Sequence, residues 1–256
     1  MNHYKDLLRL GAPVVVGQIG NLVLNFADTF MIGHHSTVEL AAASFVNNIF
    51  VLAVIFAIGF NFALTPIVGP FVGRQEQGRV GKVVCAASYA NMLLSVVLVA
   101  TMVGFYFSLP YLGQPSELLS LMRPYLIVNI ISIPFAVFGC HFKQFFDTIG
   151  RTKTSMYVLV SGNLINILGN YLLIYGNLGL PELGLLGAGV STALSRLLMA
   201  VAFFLVFRSK REYSVFSHGA KEARRAEVIA YFRRMNVLGW LSAIQSTIEC
   251  GAFSLV

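Results

Sequence analysis

Asp28, Asn166, Asn170, Thr192 and Glu249 are the residues whose types and setting could do chemistry in this 256-residue chain. Each interrupts a long apolar run, and two of them are carboxylic acids. A carboxylate deep in such a run costs about 2.5–3.5 kcal/mol on membrane-insertion scales, so it faces a helix-set interior or a water-filled cavity. A carboxyl group shielded from bulk water holds a proton or a cation, but not both. That exclusion is the minimum chemistry of an exchanger. The competing reading makes Asp28 a packing residue hydrogen-bonded to asparagines. Asn166 and Asn170 stand one turn apart and so share a helical face. Arg196 is a basic residue inside a run; it either pairs with an acid or serves structure.

These side chains must be positioned by seven apolar runs, at 11–32, 45–72, 83–109, 125–142, 154–175, 185–207 and 237–256. Each reaches or approaches the ~20 residues a helix needs to cross a ~30 Å hydrocarbon layer. The composition agrees, being 57% hydrophobic and 11% charged, against roughly 25% charged in a soluble domain. The fold class expected is all-α: a multi-pass membrane protein with a six-helix transmembrane bundle and a seventh helix.

The formal net charge is +7, but its placement argues against nucleic acid. All Lys and Arg except Arg123 and Arg196 lie at the N-terminus or in the connections 73–82, 143–153 and 208–236. That alternation is the positive-inside pattern, and it predicts a cytoplasmic N-terminus in a plasma (inner) membrane. It also places Asp28, Asn166, Asn170 and Thr192 at similar depth in the outer half of the membrane, on three helices. Glu249 lies twelve residues into the seventh run, or ~18 Å at 1.5 Å per residue, slightly past the midplane.

Cys85, Cys140 and Cys250 fall in apolar runs without ligand-spaced partners, and read as small core hydrophobes. The first run carries Asn21, Asn25 and Asp28 and is too long for a signal peptide, so it reads as a retained span. No phosphate-binding Gly-x-x-x-x-Gly-Lys-[Ser/Thr] sequence occurs, which excludes a Walker-type ATPase on this chain. Pro66, Pro70 and Pro134 are expected to interrupt the second and fourth runs. Residues 221–235 read either as a short interfacial helix or as a solvated linker. The seventh run reaches Val256 without a polar flank, so the chain is expected to stop partway through a larger protein. Domain boundaries are set at 1–207 for the bundle, 208–236 for a basic cytoplasmic linker and 237–256 for the start of a second lobe.

Several motifs, in order, resemble the multidrug and toxic compound extrusion (MATE) transporters. Residues 26–33, FADTFMIG, resemble the end of that family's first helix. Residues 147–153, DTIGRTK, resemble the loop after helix four, and 166–176, NILGNYLLIYG, resemble helix five. Residues 180–193, LPELGLLGAGVSTA, resemble the passage into helix six, and Gln245, Glu249 and Phe253 resemble helix seven. Position 170 is Asn where some members carry Asp, and Leu241 replaces a usual Pro. The resemblance implies twelve helices in two lobes, with export of organic cations or drugs against H⁺ or Na⁺, no cofactor and no enzymatic reaction. It implies that Asp28 binds the proton or ion, that Asn166, Asn170 and Thr192 form its polar network, and that Gln245 and Glu249 attract the cation. Na⁺ would sit at Asp28 or Glu249. The alternatives are a lipid-linked-precursor flippase of the same superfamily, for which Arg196 offers little anion recognition, or an inactive truncated membrane protein.

Overall fold

The computed structural model describes residues 3–209, 213, 215, 216, 219 and 224–254; for residues 3–10 and 251–254 it describes the backbone alone. Among the described residues eight α-helices are delimited: α1 (His3–His35), α2 (Thr37–Phe62), α3 (Leu64–Gly73), α4 (Gln77–Ser108), α5 (Ser116–Thr148), α6 (Thr152–Ile174), α7 (Gly184–Ser209) and α8 (Arg225–Ser254). Among the described residues six segments are long and apolar enough to cross a membrane, α2 and α3 together making one of them. The seventh apolar run lies inside α8, where Gln245, Ser246, Thr247 and Glu249 make it more polar. The protein is an all-α multi-pass membrane protein.

Connections are short, and their residues explain where helices stop. Only Ser36 separates α1 from α2; its Oγ accepts from the Glu39 amide (3.4 Å). The turn from α5 to α6 closes on Gly150 at φ +75°, with the Arg151 amide donating to the Phe146 carbonyl (2.8 Å), as a left-handed glycine after a helix end allows. Between α6 and α7, Gly176, Gly179 and Gly184 are all left-handed. So are two residues that bear a Cβ, Gln75 after α3 and Leu178 after α6, each at φ +60°.

The prolines do not act alike. The second run does break, at Ala63, whose amide closes on the Phe60 carbonyl (3.4 Å). Pro66 has no N–H for the Phe62 carbonyl, which favours a break there. The fourth run departs from expectation: α5 is one continuous helix of 33 residues through Pro124 and Pro134. A membrane helix tolerates an internal proline when its surroundings satisfy the freed carbonyl. Residues 225–236 are helical and continuous with the seventh run in α8, rather than a separate interfacial helix. Lys221–Ala223, most of the segment before them, and the terminal Leu255 and Val256 lie outside the described residues.

The chain forms two compact units. The first comprises Met1–Val51, Val97–Phe135 and Thr152–Met199. Its apolar core gathers Ile32, Val46, Leu109, Met122, Leu126, Ile174 and Leu185. Small residues bring its helices close. A Cβ at Gly17 would touch Leu159, one at Gly20 would lie 3.3 Å from Asn163 Nδ2, and one at Gly187 would fall 2.5 Å from the Leu173 carbonyl oxygen. Such contacts replace the hydrophobic drive that lipid removes. The second unit comprises Leu52–Val96, Ala136–Arg151 and Ala200–Val256. Aromatic rings fill it: Phe145 meets Phe146 (5.2 Å between centroids) and Phe207 (5.5 Å), and Phe146 stacks on Phe203 (5.8 Å). Gly59 lets α2 approach α8, where its Cβ would lie 2.9 Å from the Ala243 Cα.

Candidate functional site

The first unit brings Asp28, Asn166, Asn170 and Thr192 together. α1 and α6 run in the same direction, side by side, with two polar rungs. In one, Asn163 Nδ2 donates to Asn21 Oδ1 (3.2 Å). In the other, Asn170 Nδ2 donates to Asp28 Oδ1 (2.5 Å). Both rungs join residues 142 apart in sequence, so a seven-residue step on α1 matches a seven-residue step on α6. Seven residues are two helical turns, which keeps a stripe facing its partner.

A third helix completes the site. Asn170 Nδ2 also reaches Asn166 Oδ1 (3.2 Å), and Asn166 Nδ2 donates to Thr192 Oγ1 on α7 (3.1 Å). Ser191 Oγ donates to the Asn166 carbonyl (2.8 Å), with Gly169 leaving it room. Asn166 and Asn170 are fully buried, while Asp28 and Thr192 are half-buried. The Asn166 amide has two useful orientations. Turned over, its nitrogen lies 3.0 Å from Asp28 Oδ1 and its oxygen accepts from Thr192 Oγ1 (3.1 Å). The second orientation gives a charged Asp28 two amide donors; the first gives it one. A carboxylate oxygen that accepts such bonds makes charge-assisted contacts, the strong kind.

The atoms at the site are oxygens and amide nitrogens. Asn170 Oδ1 is buried without a hydrogen-bond partner among the described residues. Carboxylate, amide and hydroxyl oxygens suit a hard cation such as Na⁺, and the carboxylate suits a proton equally. No group of three His, Cys, Asp or Glu side chains gathers among the described residues, so nothing there resembles a transition-metal centre.

Gln245 and Glu249 belong to the second unit. They share a face of α8, and Gln245 Nε2 donates to Glu249 Oε1 (2.8 Å). Arg196 sits in the first unit, with Nη1 donating to Ser132 Oγ (2.6 Å) and its guanidinium 4.6 Å from the Phe50 ring centroid. Nearby residues on the same helices, Asn47 and Tyr125, are hydrogen-bonded (3.0 Å).

The sequence reading missed the clasp at the end of α1. The His35 ring spans two carboxylates, Nδ1 at 2.9 Å from Glu39 Oε2 and Nε2 at 2.9 Å from Glu182 Oε1. The four-residue spacing of His35 and Glu39 was a usable signal; Glu182, on the loop before α7, carried none. Tyr175 closes the same end, its hydroxyl donating to the Met31 carbonyl (2.9 Å).

Known proteins resemble this chain in sequence and fold. The MatE family pattern matches residues 13–172. The chain is 29% identical over 209 residues to a probable multidrug resistance protein NorM of Photorhabdus laumondii, covering 82% of this chain and 46% of that protein. It is 28% identical over 216 residues to the multidrug resistance protein NorM of Vibrio cholerae, covering 82% and 47%. The chain thus spans about half the length of the curated relatives it matches. Among solved structures, the eukaryotic MATE transporter AtDTX14 superposes with a TM-score of 0.85 at 16% identity, over 98% of this chain and 55% of that one. An outward-facing MATE family multidrug resistance transporter gives 0.82 at 20% identity, over 94% and 52%. The fold agrees with these structures, and the family pattern covers the α1–α6 ladder that carries the buried acid, so this chain belongs to the MatE family.

Proposed function

We propose that this chain is the N-terminal part of a secondary active antiporter that exports organic cations or drugs against H⁺ or Na⁺. The observation that carries this reading is the hydrogen-bonded set of Asp28, Asn170, Asn166 and Thr192 on α1, α6 and α7. Relatives named for multidrug resistance add support. In this reading the coupling ion is cargo. It binds at the Asp28 carboxylate, and its arrival changes which amide donors the carboxylate requires. The Asn166 side chain, able to serve Asp28 or Asn170, transmits that change to Thr192 on α7. Gln245 and Glu249 on α8 attract the cation. The N-terminus is cytoplasmic, residues 208–236 form a cytoplasmic linker, and a second six-helix lobe completes the transporter.

The test is Asp28→Asn in the full-length protein, reconstituted in vesicles. The expected outcome is loss of ion-driven export with normal expression and folding. Export that still follows an imposed ion gradient in this variant would remove Asp28 from the coupling role. Imposing Na⁺ and pH gradients separately identifies the ion.

A further inference from the structure

The second unit contains a polar ring that the Asp28 site does not use. Three inter-helix hydrogen bonds define it. Asn61 Nδ2 on α2 donates to Asn91 Oδ1 on α4 (2.9 Å). Ser88 Oγ on α4 lies 3.1 Å from His141 Nε2 on α5. Gln144 Nε2 on α5 donates to Thr65 Oγ1 on α3 (2.8 Å). Along the chain, Ser88 and Asn91 are one turn apart on α4, His141 and Gln144 are one turn apart on α5, and Asn61 and Thr65 flank the Ala63 break. The ring therefore closes on itself through three bonds and three short steps of backbone.

Hydrogen-atom accounting assigns its open valences. The Ser88 hydroxyl donates to the Val84 carbonyl (3.0 Å), so toward His141 it accepts. His141 then carries its proton on Nε2, and Nδ1 presents a lone pair. Both Asn61 amide hydrogens are used, on Asn91 Oδ1 and on the Ala57 carbonyl (2.9 Å), so Asn61 Oδ1 is an acceptor too. Both acceptors are fully buried, and neither has a partner among the described residues. A buried acceptor left unsatisfied costs about 1–3 kcal/mol, and two on one ring of neighbours call for a common solution. Both want a donor. At the other side of the ring Thr65 is exposed and Gln144 half-buried, so the ring runs from the surface of the unit to its interior.

We infer that this ring is an internal binding site for a small O–H donor, a water molecule, held by His141 Nδ1 and Asn61 Oδ1. Buried water typically makes two to four hydrogen bonds to groups of this kind. The site is independent of Asp28 and of the transport reading. It gives the second unit a hydrated imidazole base among apolar helices.

The test uses full-length protein with ¹⁵N-labelled histidine in lipid nanodiscs, with the His141 signals assigned by their disappearance in His141→Gln. The expected spectrum shows Nε2 protonated and Nδ1 in contact with water protons in a water-edited experiment. In Asn61→Leu that contact is lost while the remaining histidine signals stay in place. If Asn61→Leu fails to fold, Ser88→Ala serves instead: its expected effect is partial transfer of the proton to Nδ1, because the acceptor that fixes the tautomer is gone. Two protonated ring nitrogens at neutral pH would leave no acceptor at Nδ1 and would overturn the assignment. A wild-type His141 protonated on Nδ1 alone, or one whose Nδ1 has no water contact, overturns the assignment.

Discussion

Asp28 depends on a neighbour that is itself fully buried, Asn170, and the ladder supplies an internal control for that dependence. The Asn21–Asn163 rung repeats the geometry of the Asp28–Asn170 rung without a carboxylate. Asn163→Ala is expected to lower stability by about 0.5–1.5 kcal/mol, the net value of a neutral hydrogen bond, and to leave the ion dependence of export unchanged. Asn170→Ala removes a bond to a charged group, about 1.5–3 kcal/mol, and is expected to reduce coupled export by roughly tenfold or more. Equal effects of the two variants on ion dependence would mean that the ladder only packs α1 on α6. The acid and the amides of this site were legible in the sequence because each breaks an apolar run. The polar ring was not: Asn61, Asn91 and His141 also break apolar runs, but their spacing in sequence says nothing about three helices meeting.

At the scale of elements, close approach rather than apolar patterning decides which helices touch. Gly187 faces the Leu173 carbonyl, a backbone atom that cannot swing aside. Gly187→Ala is expected to destabilise by about 1–3 kcal/mol, as overpacking does, read as a lower midpoint of thermal unfolding in detergent. An unchanged midpoint would show that α6 and α7 have slack there. The seven runs were readable to within a few residues, since ~20 apolar residues have few other uses. The continuity of α5 through Pro134 was not, because the neighbours that satisfy a freed carbonyl are set by packing. Nor was the union of residues 225–236 with the seventh run: charged residues can extend a membrane helix beyond the hydrocarbon without ending it. One of them, Glu227, accepts from Lys82 Nζ (2.8 and 2.9 Å), and that bond holds its carboxyl below the ordinary range. Stability from a depressed carboxyl is present above the unfolded value and fades as pH falls through the folded one. Glu227→Gln is therefore expected to lower the unfolding midpoint at neutral pH and to match wild type only once the pH has dropped below the depressed folded value. A difference that persists in acid would assign the effect to something other than this ion pair.

For the whole molecule, the alternation of basic connections predicts an orientation that labelling can check. Single cysteines introduced at positions 113 and 180 in a cysteine-free background are expected to react with an impermeant thiol reagent from outside the cell, and those at 76 and 150 only after permeabilisation. The opposite pattern would invert the protein and place Asp28 near the inner face. Family membership was visible from motifs spread along the chain, while the partition into two compact units was not, because it cuts across continuous helices.

Leu178 leaves one more trace of how this fold is kept. It holds a left-handed backbone at φ +60° while 90% of its side chain meets the surroundings. A leucine in that conformation costs about 1–2 kcal/mol, and no contact in a buried core returns it. Leu178→Gly relieves the strain at the cost of a floppier unfolded chain, about 0.4–1 kcal/mol, so a modest rise in the unfolding midpoint is expected. A fall instead would reveal that this outlying methyl-bearing knob is anchored in something beyond the polypeptide, such as the acyl surface beside it.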